Sequence, residues 1–459
     1  MNAFITDSKM CPISGLVQFL IVVVTVLLMC HALVANCAKV TFKPENVTLH
    51  MYDQATIEYE VEGEPGEEFT FQLYSKDDNI AEVENNIELK YPDDAKGQFN
   101  ITGNFLGKTV VTCKAKNYQS TLQDCNMDVI VIRKKRVIDT IFTASVATLV
   151  SIIYVNFGCA LNWGELRKSL KRPIGPVLGF IGQFLFMPLL SFGLGKVLFP
   201  DSPEMQLGMF FTGVSPAGGA SNVWTVILEG NIDLSITMTT ISTFAAFGMM
   251  PLWIFTLGRL IFDKGNVAVP YSQISTYAIG LVVPLAIGYL IQRYLKRLSR
   301  FLARILKCFS SILILFIIIF AIITNLYLFK LFSWQIVVAG MGLPYLGYLL
   351  AYIMAKVLKQ SQPDCLAIAI EAGIQNTGIA IFLLRFSLPQ PEADLTTVAP
   401  VAVAIMTPFP LLFMYIYKKI MSRCEQKDKQ TLTDENAKLD LDNNCNNEPK
   451  PTCKLQLVS

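Results

Sequence analysis

Residues 371–380 read EAGIQNTGIA and lie in the middle of an apolar run that covers residues 366–384. The run has the length and composition of a membrane span, yet it contains Glu371, Gln375 and Asn376 beside two glycines. A carboxylate at membrane depth costs about 2.5–3.5 kcal/mol on insertion scales. A carboxylate in such a position predicts a functional site, and the glycines beside it predict an interrupted helix.

The composition of the whole chain is that of a membrane protein with several spans. Of its 459 residues, 53% are hydrophobic and 16% are charged, which is too apolar for an ordinary soluble protein. The net charge of +2 argues against a nucleic-acid binder. The two histidines, His31 and His50, precede the long apolar runs, so no histidine relay or histidine-bound metal is expected in the membrane. Neither an enzyme motif nor a cofactor motif is found, and no enzyme activity is predicted.

The first 37 residues predict a signal peptide. A polar start with Lys9 is followed by an apolar core at residues 17–34 and by small residues at 35–37. The alternative is a signal anchor that is not cleaved. Either reading sends the segment that follows across a membrane.

Residues 38–132 predict a β-sandwich-like domain. Apolar and polar residues alternate in the stretches 55–62, 67–74, 108–115 and 127–132, and turn residues separate these stretches. Two glycosylation sequons, at Asn46 and Asn100, favour an extracellular or lumenal location. In such an oxidising compartment Cys113 and Cys125 are expected to form a disulfide, with two free thiols as the alternative.

Residues 137–420 form a succession of apolar runs that predicts nine transmembrane helices. The runs lie near residues 138–160, 174–198, 205–228, 233–259, 272–291, 306–328, 334–357, 365–386 and 398–418. Basic residues cluster after the first, fifth and ninth runs, and such clusters favour the cytoplasmic side. The β domain is therefore predicted outside, and the polar residues 421–459 are predicted to form a disordered cytoplasmic tail.

The basic run at residues 133–136 lies on the predicted outer side and departs from this trend. It is either a tolerated cluster beside the membrane or a dibasic processing site that would release the β domain.

Two of the predicted spans are interrupted, one in each half of the membrane region. Residues 213–222 read GVSPAGGASN, in which Pro216 removes a helical hydrogen bond and the glycines weaken the helix. Residues 371–376 read EAGIQN. A pair of interrupted spans indicates a transporter built from repeats, with its site where the broken helices meet.

The oxygen atoms near these breaks suit a sodium ion. Glu371 supplies a negative charge, and neutral oxygens come from Ser221, Asn222, Gln375, Ser235 and Thr239. Ser235 and Thr239 lie four residues apart and share one helix face. Ligands that are all oxygen favour Na⁺ over a transition metal. A proton site at Glu371 is the alternative, and each hydroxyl taken alone could simply bond to its own helix.

The segment from about residue 156 to residue 420 resembles the bile acid:sodium symporter family, solute carrier family 10. The motifs that carry the resemblance keep the family's order and spacing: GCALNWGELRKSLKRP (158–173), GFIGQFLFMPLL (179–190), GVSPAGGASNVWT (213–225), ILEGNIDLSITMTT (227–240) and EAGIQNTGIA (371–380). The long β domain behind a signal sequence is similar to that of the P3-type orphan members. The resemblance implies an all-α polytopic membrane fold of nine helices in inverted repeats. A core domain and a panel domain are expected, with two broken helices that cross midway through the membrane.

The resemblance also implies two sodium sites and a substrate site. The first sodium site would use Ser221, Asn222, Ser235, Thr239 and Glu371. The second would use Gln183, Glu371, Gln375 and the backbone carbonyls of Ala372 and Ile374. Asn376 would face the substrate, and Gly219 and Ala220 would offer backbone N–H groups at the start of a half-helix. Glu371 would then be the anion shared by both sodium ions.

The predicted function is sodium-coupled symport of an organic anion by alternating access. The expected partners are sodium, the lipid bilayer and a small anion, which the resemblance limits to a bile acid, a sulfated steroid or a smaller organic anion. No nucleic acid is expected, and a homo-oligomer stays open. The alternative is a membrane receptor or assembly protein whose β domain binds a partner and whose sodium site is structural. The plasma membrane is favoured over an internal membrane.

Overall fold

The computed structural model describes residues that form two compact units. The described residues are 38–63, 68–84, 88–116, 125–134, 136–160, 164, 171, 173–264, 271–280, 282–302, 304 and 332–423. The first unit comprises Met1–Arg136 with Gln390–Glu392, and the second comprises Val137–Pro389 with Ala393–Ser459. Three predicted segments lie outside the described residues: the signal peptide, the whole of the sixth span and the tail beyond residue 423.

The described part of the first unit contains nine strands in two sheets. The strands are β1 Lys39–Lys43, β2 Asn46–His50, β3 Gln54–Glu62, β4 Phe69–Ser75, β5 Ala81–Val83, β6 Glu88–Tyr91, β7 Lys96–Gly103, β8 Gly107–Ala115 and β9 Asn126–Ile132. One sheet has the order β1-β3-β7-β5, and the other has the order β2-β9-β8-β4-β6. The strands pair in antiparallel fashion except for β2 and β9, which are parallel. The four alternating stretches of the sequence correspond to β3, β4, β8 and β9.

The two sheets pack against each other through the apolar faces of their strands. Ile57 and Tyr59 of β3 are buried in one sheet, and their neighbours along the strand point outward. Phe71 and Leu73 of β4 are fully buried in the other sheet, and all four belong to one hydrophobic cluster. Burial of each such side chain contributes about 1.5–3 kcal/mol. The first unit therefore has a hydrophobic core of its own.

A disulfide joins β8 to the residue that precedes β9. The bonded cysteines are Cys113 and Cys125, whose Cα atoms are 5.7 Å apart. The two strands also pair directly, with Thr112 opposite Asn126 at the end beside the bond. The disulfide therefore holds together two strands at the centre of the five-stranded sheet.

The described part of the second unit is helical. Its helices are α1 Val137–Ala160, α2 Ile174–Leu198, α3 Pro203–Val214, α4 Ala220–Ile227, α5 Ile232–Asp263, α6 Tyr271–Gly280, α7 Val282–Tyr294, α8 Trp334–Val357, α9 Gln362–Gly373, α10 Thr377–Ser387 and α11 Glu392–Arg423. Within α11, short turns interrupt the helix at residues 396–397 and 407.

Four of the described helices, α2, α5, α8 and α11, are long and apolar enough to cross a membrane. Shorter apolar helices are found at Ala147–Cys159, within α1, and at Thr377–Ser387. The third predicted span consists of α3 and α4, and the eighth consists of α9 and α10, as the predicted interruptions require. The second unit is thus a helical membrane domain, and the total of nine spans stays a prediction.

Candidate ion and substrate site

The two helix breaks lie against each other and are joined by backbone hydrogen bonds. The N–H of Gly218 donates to the carbonyl oxygen of Ile374 over 2.8 Å, and the N–H of Asn376 donates to that of Pro216, also over 2.8 Å. Between these bonds, Ala217 and Gln375 form an isolated antiparallel bridge. The backbone groups that the breaks release are therefore satisfied inside the protein, as buried polar groups require.

The residues of the first break explain its geometry. Ser215 ends α3 in an extended conformation, and Pro216, which follows, has no N–H with which to continue the helix. Gly218 lies against the backbone of the second break. A Cβ at that position would be 2.9 Å from the carbonyl oxygen of Gln375, which is closer than side chains normally come. Proline and glycine thus permit two broken chains to cross in contact.

Glu371 is buried beside this crossing among hydroxyl and amide groups. The residue is 1% exposed, and its carboxylate accepts hydrogen bonds from the hydroxyls of Thr239, over 2.6 Å, and Ser235, over 3.1 Å. The Ser235 hydroxyl also lies 2.9 Å from Oδ1 of Asn222. Ser221 is fully buried, and its Oγ lies close to the carboxylate without the geometry of a hydrogen bond. The structure therefore brings the five residues of the first predicted sodium site together.

No positively charged side chain in the described ranges forms an ion pair with Glu371. A charged carboxylate in a protein interior is strongly unfavourable without a partner of opposite charge. The site therefore offers oxygen atoms as ligands and one negative charge, on Glu371, that a small cation would neutralise.

The starts of two helices hold the hydroxyls in register with the carboxylate. The side chain of Asn231 caps α5 by accepting a hydrogen bond from the N–H of Leu234 over 3.2 Å. Its Nδ2 donates to Oδ1 of Asp364, in the first turn of α9, over 2.6 Å. Because α5 carries Ser235 and Thr239 and α9 carries Glu371, this contact fixes the two helices that face each other across the site.

A second polar group lies at the crossing and contains two glutamine side chains. Nε2 of Gln183 donates to the carbonyl oxygen of Ser215 over 2.6 Å and to Oε1 of Gln375 over 2.7 Å. Nε2 of Gln375 donates to the carbonyl oxygen of Ala372 over 2.7 Å. The carbonyl oxygen of Ile374 accepts the bond from Gly218 described above. The predicted ligands of the second sodium site are thus adjacent, while sharing of Glu371 by both sites stays a prediction.

The three residues predicted to face the substrate lie at the same crossing and are each half-buried. Gly219 immediately precedes α4, which begins at Ala220. Asn376 precedes α10 and caps it, since its Oδ1 accepts a hydrogen bond from the N–H of Ile379 over 3.3 Å. Two half-helices therefore begin at the crossing. The N–H groups in the first turn of a helix have no carbonyl partner in the preceding turn of that helix, so they can bond to other groups.

Three side chains at the site were not expected from the sequence. Thr225 donates from Oγ1 to the Ser235 hydroxyl over 3.3 Å, Ser242 accepts from the N–H of Ala217 over 2.9 Å, and Trp253 donates to α2. Two of these side chains could have been predicted, because Thr225 lies four residues after Ser221 and Ser242 lies three residues after Thr239. Residues at these spacings share one face of a helix. Trp253 carried no signal, because its contact joins distant parts of the chain.

The two predicted glycosylation sites lie on different sheets of the first unit. Asn46 is exposed and begins β2. Asn100, in the middle of β7, is half-buried, and its side chain accepts from the Thr56 hydroxyl over 2.8 Å and donates to Glu84 over 2.9 Å. Asn46 is therefore the more accessible acceptor in the folded domain, and modification of both stays a prediction.

Comparison with known proteins gives consistent relatives. Residues 147–332 match the model of the Sodium Bile acid symporter family. The P3 protein of Homo sapiens is 33% identical over 271 residues, which are 58% of this chain and 57% of that protein. The ileal sodium/bile acid cotransporter of Homo sapiens is 28% identical over 298 residues, or 64% of this chain and 84% of that protein. The sodium-dependent organic anion transporter of Rattus norvegicus is 31% identical over 251 residues, or 54% and 66%.

The chain spans only 57% of the length of the human P3 protein that it matches. The family match itself contains Gln183, the first break and the hydroxyls of α5, whereas Glu371 and the second break lie beyond its last residue. These matches agree with the resemblance that the sequence motifs carry. Over the matched residues, the chain is similar to the sodium bile acid symporter family.

Proposed function

We propose that the protein is a secondary transporter that couples inward movement of sodium to inward movement of an organic anion. The observation that carries the proposal is the buried carboxylate of Glu371, which accepts hydrogen bonds from Ser235 and Thr239 and lies in no described ion pair. A bound cation would offset the cost of that charge. Two relatives are named for this coupling, a sodium/bile acid cotransporter and a sodium-dependent organic anion transporter.

Sodium is the cation that this chemistry favours at the first site. Its proposed ligands are the oxygens of Ser221, Asn222, Ser235, Thr239 and Glu371. Hard oxygen ligands suit Na⁺, whereas transition metals prefer the nitrogen or sulfur of histidine and cysteine. The Oγ of Ser221 is buried and has no hydrogen-bond partner within the described ranges, so it is available to a ligand at this position. The competing proposal, a proton on Glu371, is separated from sodium binding by a variant discussed below.

The proposed second sodium site would form from the pair of glutamine amides. Gln183 and Gln375 donate to each other or to backbone carbonyls through Nε2. An entering ion would turn the amide oxygens toward itself and would take the place of Gln375 Nε2 at the carbonyl of Ala372. With the carbonyl of Ile374 and the carboxylate of Glu371, this gives an oxygen-only site next to the first.

The anion would bind where the two half-helices begin. Free N–H groups and the positive end of the helix dipole favour negative charge at a helix start. Both α4 and α10 begin at the crossing, so Gly219, Ala220 and Asn376 could all face one ligand. Sodium ions held by Glu371 and the glutamine amides would add to the attraction, which explains why cation and anion would be carried together. The family supports a bile acid, a sulfated steroid or a smaller organic anion.

Transport would require the crossing to open to each side of the membrane in turn. Ile381 of α10 packs with Leu149 and Ile153 of α1. In contrast, Val226 and Ile227 at the end of α4 are 50% and 39% exposed. The two half-helices thus differ in how far other described helices cover their apolar side chains. We propose nine helices in inverted repeats, with a core domain that carries both breaks and moves against a panel domain.

A receptor or assembly role is the second candidate, and one observation favours it. The first unit has its own hydrophobic core and lies outside the residues that match the family. In that case the β domain would bind a partner, and the ion site would only stabilise the helices.

Uptake by purified protein in liposomes separates the two candidates. With an inward sodium gradient, we expect uptake of at least one anion from a panel of bile acids, sulfated steroids and smaller organic anions. An equal potassium gradient and collapse of the sodium gradient by an ionophore serve as controls. Uptake that does not depend on sodium would contradict the proposed coupling, and no uptake of any panel member by protein that binds sodium would favour the receptor role.

The proposed orientation places the β domain outside the cell and the end of α11 in the cytoplasm. Treatment of intact cells with a glycosidase should increase gel mobility, because glycans at Asn46 and Asn100 would be accessible. The Asn46→Gln, Asn100→Gln double variant should already migrate at the faster position and should not respond. A shift seen only after permeabilisation would place the domain in an internal lumen, and no shift under either condition would contradict the orientation.

A further inference from the structure

The middle of α2 contains a wide helical turn that carries Gln183. Over Gly182–Phe186 the helix is of the π type, and the N–H of Met187 donates to the carbonyl oxygen five residues before it. Such turns insert one extra residue and are frequent at functional sites. The turn lets Gly182, Gln183 and Phe184 face the protein interior in succession.

The exposed positions of α2 show the effect of the inserted residue. Phe180 and Leu185, on either side of the turn's first residues, are 37% and 44% exposed and lie five positions apart. A regular α-helix repeats one face every three or four positions. The turn therefore shifts the phase of the helix at the point where Gln183 enters the crossing.

The carbonyl oxygen of Phe184 lacks its usual partner in this turn. The regular donor would be the N–H of residue 188, which is proline and has none. The indole Nε1–H of Trp253, on α5, donates to this oxygen over 2.7 Å. Trp253 also lies directly before a second π-type turn, at Ile254–Gly258. One side chain of α5 thus satisfies the backbone group that Pro188 leaves open in α2.

We propose that Trp253 is a positioning residue for the second sodium site. The hydrogen bond from its indole to the carbonyl oxygen of Phe184 holds the wide turn in place. Because Gln183 lies in the same turn, its amide is held against Ser215 and Gln375. Without the indole N–H, the buried carbonyl oxygen of Phe184 would have no donor, and the turn would rotate to bring this oxygen to another one. The Gln183 amide would then leave the crossing. This inference rests on the proposed sodium function. It gives Trp253 a role in sodium binding although Trp253 would not contact the ion.

The test compares Trp253→Phe with the wild type by sodium titration of thermal stability. Phenylalanine keeps the aromatic ring in the core and removes only the N–H donor. We expect the variant to weaken one of two sodium-binding events about tenfold, as loss of a buried hydrogen bond implies, and to leave the other unchanged. Gln183→Leu should show the same selective loss. Trp334→Phe is the matched control, since Trp334 is 68% exposed at the start of α8, and it should titrate like the wild type.

A double variant distinguishes positioning from a general structural role. If Trp253 acts through Gln183, the Trp253→Phe, Gln183→Leu variant should bind sodium like Gln183→Leu alone. Equal weakening of both sodium events, additive losses in the double variant, or a wild-type titration for Trp253→Phe would each overturn the inference. A wild type that does not respond to sodium would instead refute the proposed function on which the inference rests.

A second replacement keeps the test decisive if Trp253→Phe does not fold. Benzothienylalanine at position 253 retains the shape of the two fused rings and puts sulfur in place of the N–H. It should give the same selective loss of one sodium event. An unchanged titration with this side chain would overturn the inference.

Discussion

Glu371→Ala is expected to abolish the stabilisation of the purified protein by sodium. Two cations among neutral oxygens, in surroundings of low dielectric constant, need a fixed anion close by, and the variant removes it. A bound ion stabilises the folded state by about 2.7 kcal/mol at a hundredfold excess over its dissociation constant. The wild type should therefore unfold at a higher temperature in sodium chloride than in potassium chloride. The variant should unfold at the same temperature in both salts.

Control variants give this prediction its specificity. Glu229→Ala removes a carboxylate that is 84% exposed. This variant should be stabilised by sodium as much as the wild type. Ser235→Ala and Gln375→Ala should each weaken one binding event and leave some stabilisation. Glu371→Gln mimics a protonated carboxyl, so it should lose sodium binding if the site holds sodium but keep function if the site holds a proton. A sodium effect in Glu371→Ala equal to that of the wild type would refute the role of the carboxylate.

Loss of the disulfide is expected to destabilise the β unit by about 3 kcal/mol, the chain-entropy value for a loop of this length. The bond between Cys113 and Cys125 closes a loop with a sequence separation of 12 residues. The double variant Cys113→Ser, Cys125→Ser should therefore open β8 and β9 more often. Hydrogen exchange of the full-length protein should be about 100-fold faster in peptides from these strands.

Peptides from α8 provide the internal comparison for the disulfide experiment, because they lie in the helical unit and should exchange at unchanged rates. Equal exchange rates in β8 and β9 of the two proteins would contradict the predicted stabilisation. Mapping of non-reduced peptides that found both cysteines as free thiols would remove the disulfide itself.

The elements that could be predicted from the sequence are those whose signal is local. Alternation with a period of two reports a strand with one buried face, and it located β3, β4, β8 and β9. Pro216 and the glycines close to it indicate that a helix cannot continue, and the helix is interrupted there between α3 and α4. Glu371 was noticeable because a carboxylate in an apolar run is expensive wherever it lies.

The contacts that could not be predicted join residues far apart in the chain. Gln183 and Gln375 are separated by 192 positions, and no periodic pattern in either segment indicates that their amides meet. The same holds for Trp253 and Phe184. The resemblance to a family suggested which glutamines share a site, but the hydrogen bonds between them depend on how the helices pack.

The wide turn in α2 shows that a proline in the sequence does not by itself predict the shape of the helix around it. Pro188 removes one donor, and a helix can respond by kinking, by ending or by widening. The third response depends on a donor from another helix, here the indole of Trp253. Local sequence thus predicts that a helix is perturbed, whereas tertiary packing decides the form of the perturbation.

Equilibrium binding of radioactive sodium to the purified protein is the most direct test of sodium coupling at the crossing. The wild type should bind two sodium ions per chain, potassium should not compete, and Glu371→Ala should bind none. If the wild type binds no more sodium than Glu371→Ala, the proposal that this carboxylate gathers the coupling ions is contradicted.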